Sequence, residues 1–319
     1  RPDHAFRIAR PAAIALIRDV PLHIVMKHFF SFAFLIALSG TLSAQRIVPF
    51  GVGIPQSGIG RVHAMRVWDG KLVAAGNFGS FLGNPGESLQ AWDGTQFYSF
   101  PGAFDTPISA EAVCMEVYNG QLVVGGNGPG VNNIARWDGT QWATFDQGYP
   151  QRVHDIAILD DQLVITGDER IVCRWNGATW DTLGVRFNNN VYDLAVFQGQ
   201  LYAAGWFDAD VNGTVLQHLA RWNGTAWEQV LTGLNDRVYA LEVISTGLAI
   251  GGFFTADGVE GQALPHWTVF DGTAFSVPTV DPVDPVFDIQ ELFGGELLLR
   301  GQDRGLLLRN GVVDEFLYS

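Results

Sequence analysis

Cysteine is nearly absent from this chain of 319 residues: two residues, Cys114 and Cys173, cannot build a disulfide scaffold, and no Cys/His cluster stands at zinc spacing. Lysine is equally scarce, with only Lys27 and Lys71 present. Against 19 Lys and Arg stand 33 Asp and Glu, a net charge of −14, so the basic surface that neutralises nucleic-acid phosphates is missing. The main apolar run, Phe29 to Leu38, has 10 residues, about half of the roughly 20 that a bilayer-spanning helix needs. Helical periodicity is absent after Ala44. Gly-x-Ser-x-Gly, His-Glu-x-x-His and a phosphate loop are also absent. With 47% hydrophobic and 16% charged residues, the chain is not disordered.

The N-terminal region reads as a leader. Lys27 and His28 open it, the apolar run follows, and Ser39 to Ala44 is small and polar, ending Leu-Ser-Ala before Gln45. Residues 26–44 are therefore expected as a secretory signal peptide, and residues 1–25, with four Arg and three Pro, as the product of a gene start set too far upstream, the alternative being an unusually long basic n-region. Residues 1–44 hold 5 of the 19 basic and 2 of the 33 acidic residues, which leaves 14 basic, 31 acidic and a net −17 for the secreted form. A surface of that charge is soluble and avoids anionic membranes.

Residues 45–319 are repetitive. Arg61 to Gly76 aligns without gaps with Glu111–Gly126, Arg152–Gly167, Asn190–Gly205 and Arg237–Gly252, and Pro285–Gly301 joins them with one inserted residue. A second half follows in each copy, of the form Trp-Asp/Asn-Gly-x-x-Trp: Trp92–Phe97, Trp137–Trp142, Trp175–Trp180, Trp222–Trp227 and Phe270–Phe275. In the sixth copy Asn310-Gly311 keeps the turn and the aromatics are gone. Period-two apolar segments joined by Asp-Gly and Asn-Gly pairs predict a four-stranded antiparallel meander with two-residue hairpins, both central residues at positive φ.

Such units at this spacing stack around an axis, so the fold expected is all-β, a β-propeller of six four-stranded blades starting near residues 62, 112, 153, 191, 238 and 286. A seventh blade is expected only if the chain continues past Ser319. Ile47–Phe50 resembles a fourth strand and is expected to close the ring on the last blade. The repeated Trp and Phe are expected between the blades.

The pattern Gly-Gly-x-Phe followed by Ala-Arg-Trp-Asp/Asn-Gly-Thr-x-Trp resembles the kelch-type propellers of secreted bacterial proteins, related in fold to the central domain of galactose oxidase. The resemblance implies an extracellular role in binding or adhesion. It carries no catalytic residues over, because no Tyr, His and Cys stand here in the copper-site arrangement.

Long connections follow the second and fourth strands, and in a propeller both sets emerge on one face, where binding residues ride. Three groups on it are candidates. Asp208, Asp210 and Asn212 open like a calcium loop, but Leu219 stands where the terminal Glu belongs, so an Asx-turn loop competes with a calcium site. Asp257 lies in the equivalent loop of the next repeat. Trp206, Phe207, Phe253 and Phe254, with Phe78 and Phe81, are candidate stacking platforms, unless they are buried at the blade edges. Asp155, Asp193 and Asp288 share one register position of the first strand and would form an acidic column toward the channel.

Together these features predict a secreted, non-catalytic binding propeller, monomeric, with a glycan or an extracellular protein as ligand and no cofactor unless calcium. A polysaccharide-active hydrolase or lyase using carboxylates on that face, and a structural spacer of a longer surface protein, are the alternatives. N-terminal mass spectrometry of the secreted protein should begin at Gln45; a peptide from residues 1–25 would overturn the leader assignment.

Overall fold

The computed structural model describes residues 25–29, 34–35, 48–49, 61–77, 80–81, 84–85, 88–100, 111–128, 132–258, 261–282, 284–292, 295–301, 304–309 and 312–317. They form a six-bladed β-propeller. The first strands of the blades are Arg61–Trp68, Glu111–Tyr118, Val153–Leu159, Val191–Phe197, Val238–Ile244 and Asp288–Glu291, and each blade runs outward from its first strand as an antiparallel meander. Blades 1 to 4 and 6 carry four strands of their own. Blade 5 has three, with a single further bridge between Phe270 and Phe275, because Pro278 denies the would-be fourth strand a ladder donor. Among the described residues no helix is long and apolar enough to cross a membrane.

The N-terminal expectations meet the structure only in part. Val25–Phe29 lies antiparallel along the first strand of blade 1, as a fifth strand of that sheet. The rest of the expected leader, residues 1–24, 30–33 and 36–44, lies outside the described residues apart from Phe34–Leu35. Val48–Pro49 pairs with Phe34–Leu35 and not with the last blade, whose fourth strand is its own Val312–Leu317.

The two hairpins of each blade use different chemistry. First-to-second turns are tight, with Asp69-Gly70, Asn119-Gly120, Asp160-Asp161 and Gln198-Gly199 all at positive φ as expected for two-residue loops. The third-to-fourth turns depart from that expectation. In the loop between Trp222 and Trp227 only Gly224 has positive φ, and Asn223 Oδ1 accepts the N–H groups of Thr225 and Ala226 at 2.9 Å. Asp93, Asp138, Asn176 and Asp271 do the same, so each is a four-residue loop closed by an Asx turn. The Tyr98 phenol at Asp93 and the Thr273 hydroxyl at Asp271, followed by these amides, and the amides first at Asp138, hold the three carboxyls below the usual range.

The core is a set of layers between blades. Along Leu122-Val-Val124, Leu122 and Val124 pack toward blade 1, and Val123 packs toward blade 3. This two-faced burial explains why the second strands read as unbroken apolar runs. The aromatic pairs complete each layer: Trp137 and Trp142 lie 5.2 Å apart, as do Trp175 and Trp180. Phe145 meets Trp175 edge-on at 5.3 Å. Each such ring contributes on the order of 2–3 kcal/mol by burial.

The inner edges of the sheets are capped across blades. Asp155 Oδ2 accepts the Leu194 N–H at 2.9 Å, and Asp193 Oδ2 accepts the Leu241 N–H at 2.7 Å. Each carboxylate thus satisfies an amide on the open edge of the next blade's first strand, a group that otherwise has no ladder partner. Asp193→Ala should lower stability by roughly 1–3 kcal/mol by leaving the Leu241 amide buried and unsatisfied. A denaturant midpoint equal to that of the parent would show that the clip contributes nothing.

Candidate functional site

Three register positions of the repeat converge on the long-loop face, where the first strands begin. The first is a bulge. Ladder pairing skips one residue in each of five first strands, between Val62 and Ala64, Ala112 and Cys114, Val153 and Asp155, Val191 and Asp193, and Val238 and Ala240. The skipped residues are His63, Val113, His154, Tyr192 and Tyr239, and Phe287 precedes the first strand of blade 6. A bulge re-aims its extra side chain, and here it turns a ring of side chains around the mouth of the channel.

The second position follows the glycine that ends the second strand. The N–H groups of Asp168, Trp206 and Phe253 bond the carbonyls of Arg152, Asn190 and Arg237 at 3.1, 2.9 and 2.9 Å. Those carbonyl-bearing residues, with Glu111, are the third position. A Cβ added at Gly126, Gly167, Gly205 or Gly252 would stand between 2.0 and 2.3 Å from the same carbonyl oxygens, so no larger residue permits this closure.

Contacts around the annulus run from blade to blade. Tyr192 and Tyr239 are stacked, 4.9 Å apart and 6° from parallel. Tyr239 also meets Phe253 at 5.6 Å and Phe287 at 5.2 Å. The Arg237 guanidinium lies 4.8 Å from the ring of Trp206 and 4.3 Å from that of Phe253. Trp206 remains 47% exposed. Beside Tyr192, with ring centroids 6.2 Å apart, His154 Nε2 is 2.6 Å from Asp168 and Nδ1 is 3.0 Å from the Val191 carbonyl. His63 and Arg152 share Glu111 at 2.6 and 2.9 Å. Burial, with Tyr239 beside it, pushes the Tyr192 hydroxyl up to about 12.

The candidates read from sequence separate into three fates. Trp206 and Phe253 join the annulus. Phe207 and Phe254 are fully buried, Phe207 against Phe187 at 4.5 Å, and they anchor the long loops from below. Phe78 and the side chain of Phe81 lie outside the described residues. Asp208 faces Asn188, and Asp210 Oδ1 accepts the N–H groups of Asn212 and Thr214 at 2.8 and 2.9 Å, so the Asp208–Asn212 loop is an Asx turn in which amide donors engage both carboxylates. Asp257 is buried and accepts the Gln262 N–H at 3.0 Å in the matching turn of blade 5. Among the described residues no group of three or more His, Cys, Asp and Glu could hold a metal ion. Cys114 and Cys173 are buried and form no disulfide.

Asp155, Asp193 and Asp288 do share a position, but it is buried between blades and not open to the channel. The two N-terminal members of the column are the interblade clips. Asp288 stands 3.7 Å from Arg300, and burial raises its carboxyl well above the usual range despite that guanidinium, with Glu242 and Asp193 adding to the rise. Deeper in the channel Arg66 pairs with Glu116. Burial lowers the Arg66 guanidinium to about 10, opposed by Asp155 and Glu242.

The residues that sequence reasoning missed are the bulge residues. The signal was present one position before the acidic column, where His63, Val113, His154, Tyr192, Tyr239 and Phe287 align.

No family model and no curated protein matches the sequence. Among solved structures the chain is similar to the WD40 β-propeller domain of Doa1, at 14% identity over 79% of this chain and 80% of that one, with a TM-score of 0.52. It is also similar to the extracellular domain of BT4673 from B. thetaiotaomicron, described as a one-component system, at 11% identity, 90% coverage of this chain and a TM-score of 0.60. The match spans 34% of that longer chain. The computationally designed Ika8 protein aligns at 15% identity over 92% of this chain and 89% of its own, with a TM-score of 0.51. Identities this low establish the propeller fold alone, a fold that commonly mediates binding, and they assign no kelch family.

The Asp288 environment sets a pH dependence. The folded chain holds the Asp288 proton to higher pH than the unfolded chain does. Its contribution is therefore complete below the unfolded carboxylate range near pH 4 and is lost as pH rises through the folded value. Asp288→Asn should gain stability over the parent progressively from about pH 4 upward, read as the difference in denaturant midpoints. A difference that stays flat or reverses would contradict the assignment.

Proposed function

We propose that this chain is a secreted, non-catalytic binding propeller whose ligand, a glycan or an extracellular protein, sits on the long-loop face over the channel mouth. One observation carries the reading: a fixed arc of aromatic side chains, Tyr192, Tyr239, Phe253 and Trp206, is left partly open to solvent at the point where all blades converge. Large apolar groups gathered in the open cost solvation, and on propellers such an arc is a place for a partner. The extracellular setting follows from the leader-like residues 26–44, and the likeness to an extracellular propeller domain agrees with it.

Affinity gel electrophoresis of the secreted protein against a panel of polysaccharides, with and without calcium, followed by sizing of the polymer, tests the reading. Retardation by intact polymer that Trp206→Ala weakens by about tenfold, a loss near 1.4 kcal/mol, is the expected outcome for a glycan ligand. Shortened polymer would replace binding with hydrolysis or cleavage. Retardation that Trp206→Ala and Tyr239→Ala leave untouched would place the ligand elsewhere.

A further inference from the structure

The annulus has two chemically different halves. Blades 4 to 6 present stacked and edge-on aromatic rings, with Arg237 held between Trp206 and Phe253. Blades 1 to 3 present, among the described residues, the buried Val113 and polar side chains paired with one another: Glu111 serves His63 and Arg152, and Asp168 serves His154. Arg237, in the aromatic half, lies 3.8 Å from Asp236.

We infer that the occupant of this face is a neutral saccharide, with a sugar ring laid on the aromatic arc and its hydroxyl edge turned to the paired ions. The inference rests on the binding role proposed above and names its ligand class. A pyranose is itself divided in this way. One face is lined by C–H groups and packs on aromatic rings, and each hydroxyl at the edge both donates and accepts. The ionic half answers with fixed acceptors at Glu111 and Asp168 and a fixed donor at Arg152.

Charge excludes the ionic alternatives. An anionic polymer would approach a secreted chain of net charge −17 and find Arg152 engaged by Glu111 and Arg237 held between Trp206 and Phe253. A cationic segment would have to strip those carboxylates of their internal partners, exchanging one desolvated pair for another. An extended peptide adding to the sheet edge needs free backbone donors. At blades 4 and 5 the Leu194 and Leu241 amides on the inner edge are already taken by Asp155 and Asp193. Tyr, Phe and Trp lose little rotamer freedom on binding, and here backbone closure at Gly205 and Gly252 fixes where they stand.

The test uses gels containing mixed-linkage β-glucan, xylan or galactomannan as neutral polymers and polygalacturonate as the anionic one, each run at low salt and at about 0.5 M salt, where exposed charges are screened. The expected result is retardation by at least one neutral polymer, unchanged by salt and weakened at least about tenfold by Trp206→Ala and by Tyr239→Ala. Asp168→Asn should weaken it several-fold by removing an acceptor for a sugar hydroxyl. Trp206 is half exposed, so its variant retains the fold even if Tyr239→Ala does not, and near-ultraviolet circular dichroism checks both.

Retardation by polygalacturonate alone, abolished by salt, would overturn the neutral-saccharide assignment and leave the binding face standing. Retardation by no polymer would also overturn it, while a protein ligand would remain open to the face. Neutral-polymer retardation that neither aromatic variant changes would remove the face itself, and both readings with it.

Discussion

In blades 2 to 5 the glycine at the end of the second strand lies against a carbonyl at the start of the first. At Gly205 the Asn190 oxygen leaves no room for a Cβ, and the following N–H, on Trp206, closes the contact. Where the two strands draw together, the ladder skips one residue of the first strand. The bulge that results is repeated in five blades, and it turns His154, Tyr192 and Tyr239 toward the channel mouth. The composition of the candidate site therefore depends on a backbone contact in which no site side chain takes part.

Everything outside that contact serves to hold neighbouring sheets in phase. Alternate residues of each second strand face opposite blades, so no blade owns a core and each layer exists only when two are adjacent. The aspartates add direction to this packing. Asp155 and Asp193 reach forward to the next inner strand and cap amides that would otherwise invite water or a foreign strand into the channel. Outside the ring, Asn188 and Asn235 stitch each long loop to the preceding connection through backbone amides of the loop. Long segments are thereby made into fixed supports for Trp206 and Phe253.

The same stitching accounts for the loop that resembles a calcium site. Asp210 and Asp257 occupy matching places in blades 4 and 5, each accepting an amide of its own loop. An oxygen-rich sequence is what a tight Asx turn requires, and the pattern alone does not distinguish that from coordination. The Trp-Asp-Gly-Thr hairpins carry the same chemistry, for Asp138 and Asn223 each close a four-residue loop with a side-chain oxygen.

The sequence by itself determined the propeller, its blade starts and the fate of its aromatic pairs, because a repeat with period-two burial has one economical way to cover both faces of every sheet. It also determined which face carries the long loops, since strand order dictates where connections emerge. Only the tertiary structure decided which register position points at the channel mouth. Tyr192 and Asp193 are consecutive, and ladder pairing skips Tyr192 while it keeps Asp193 opposite Ala204. The bulge follows from how two strands close on a glycine, so Asp155 and Asp193 became buried clips and the neighbours of the aspartate column became the annulus. The missing fourth strand of blade 5 and the burial of Phe207 and Phe254 were likewise decided by partners far along the chain, which no local pattern encodes.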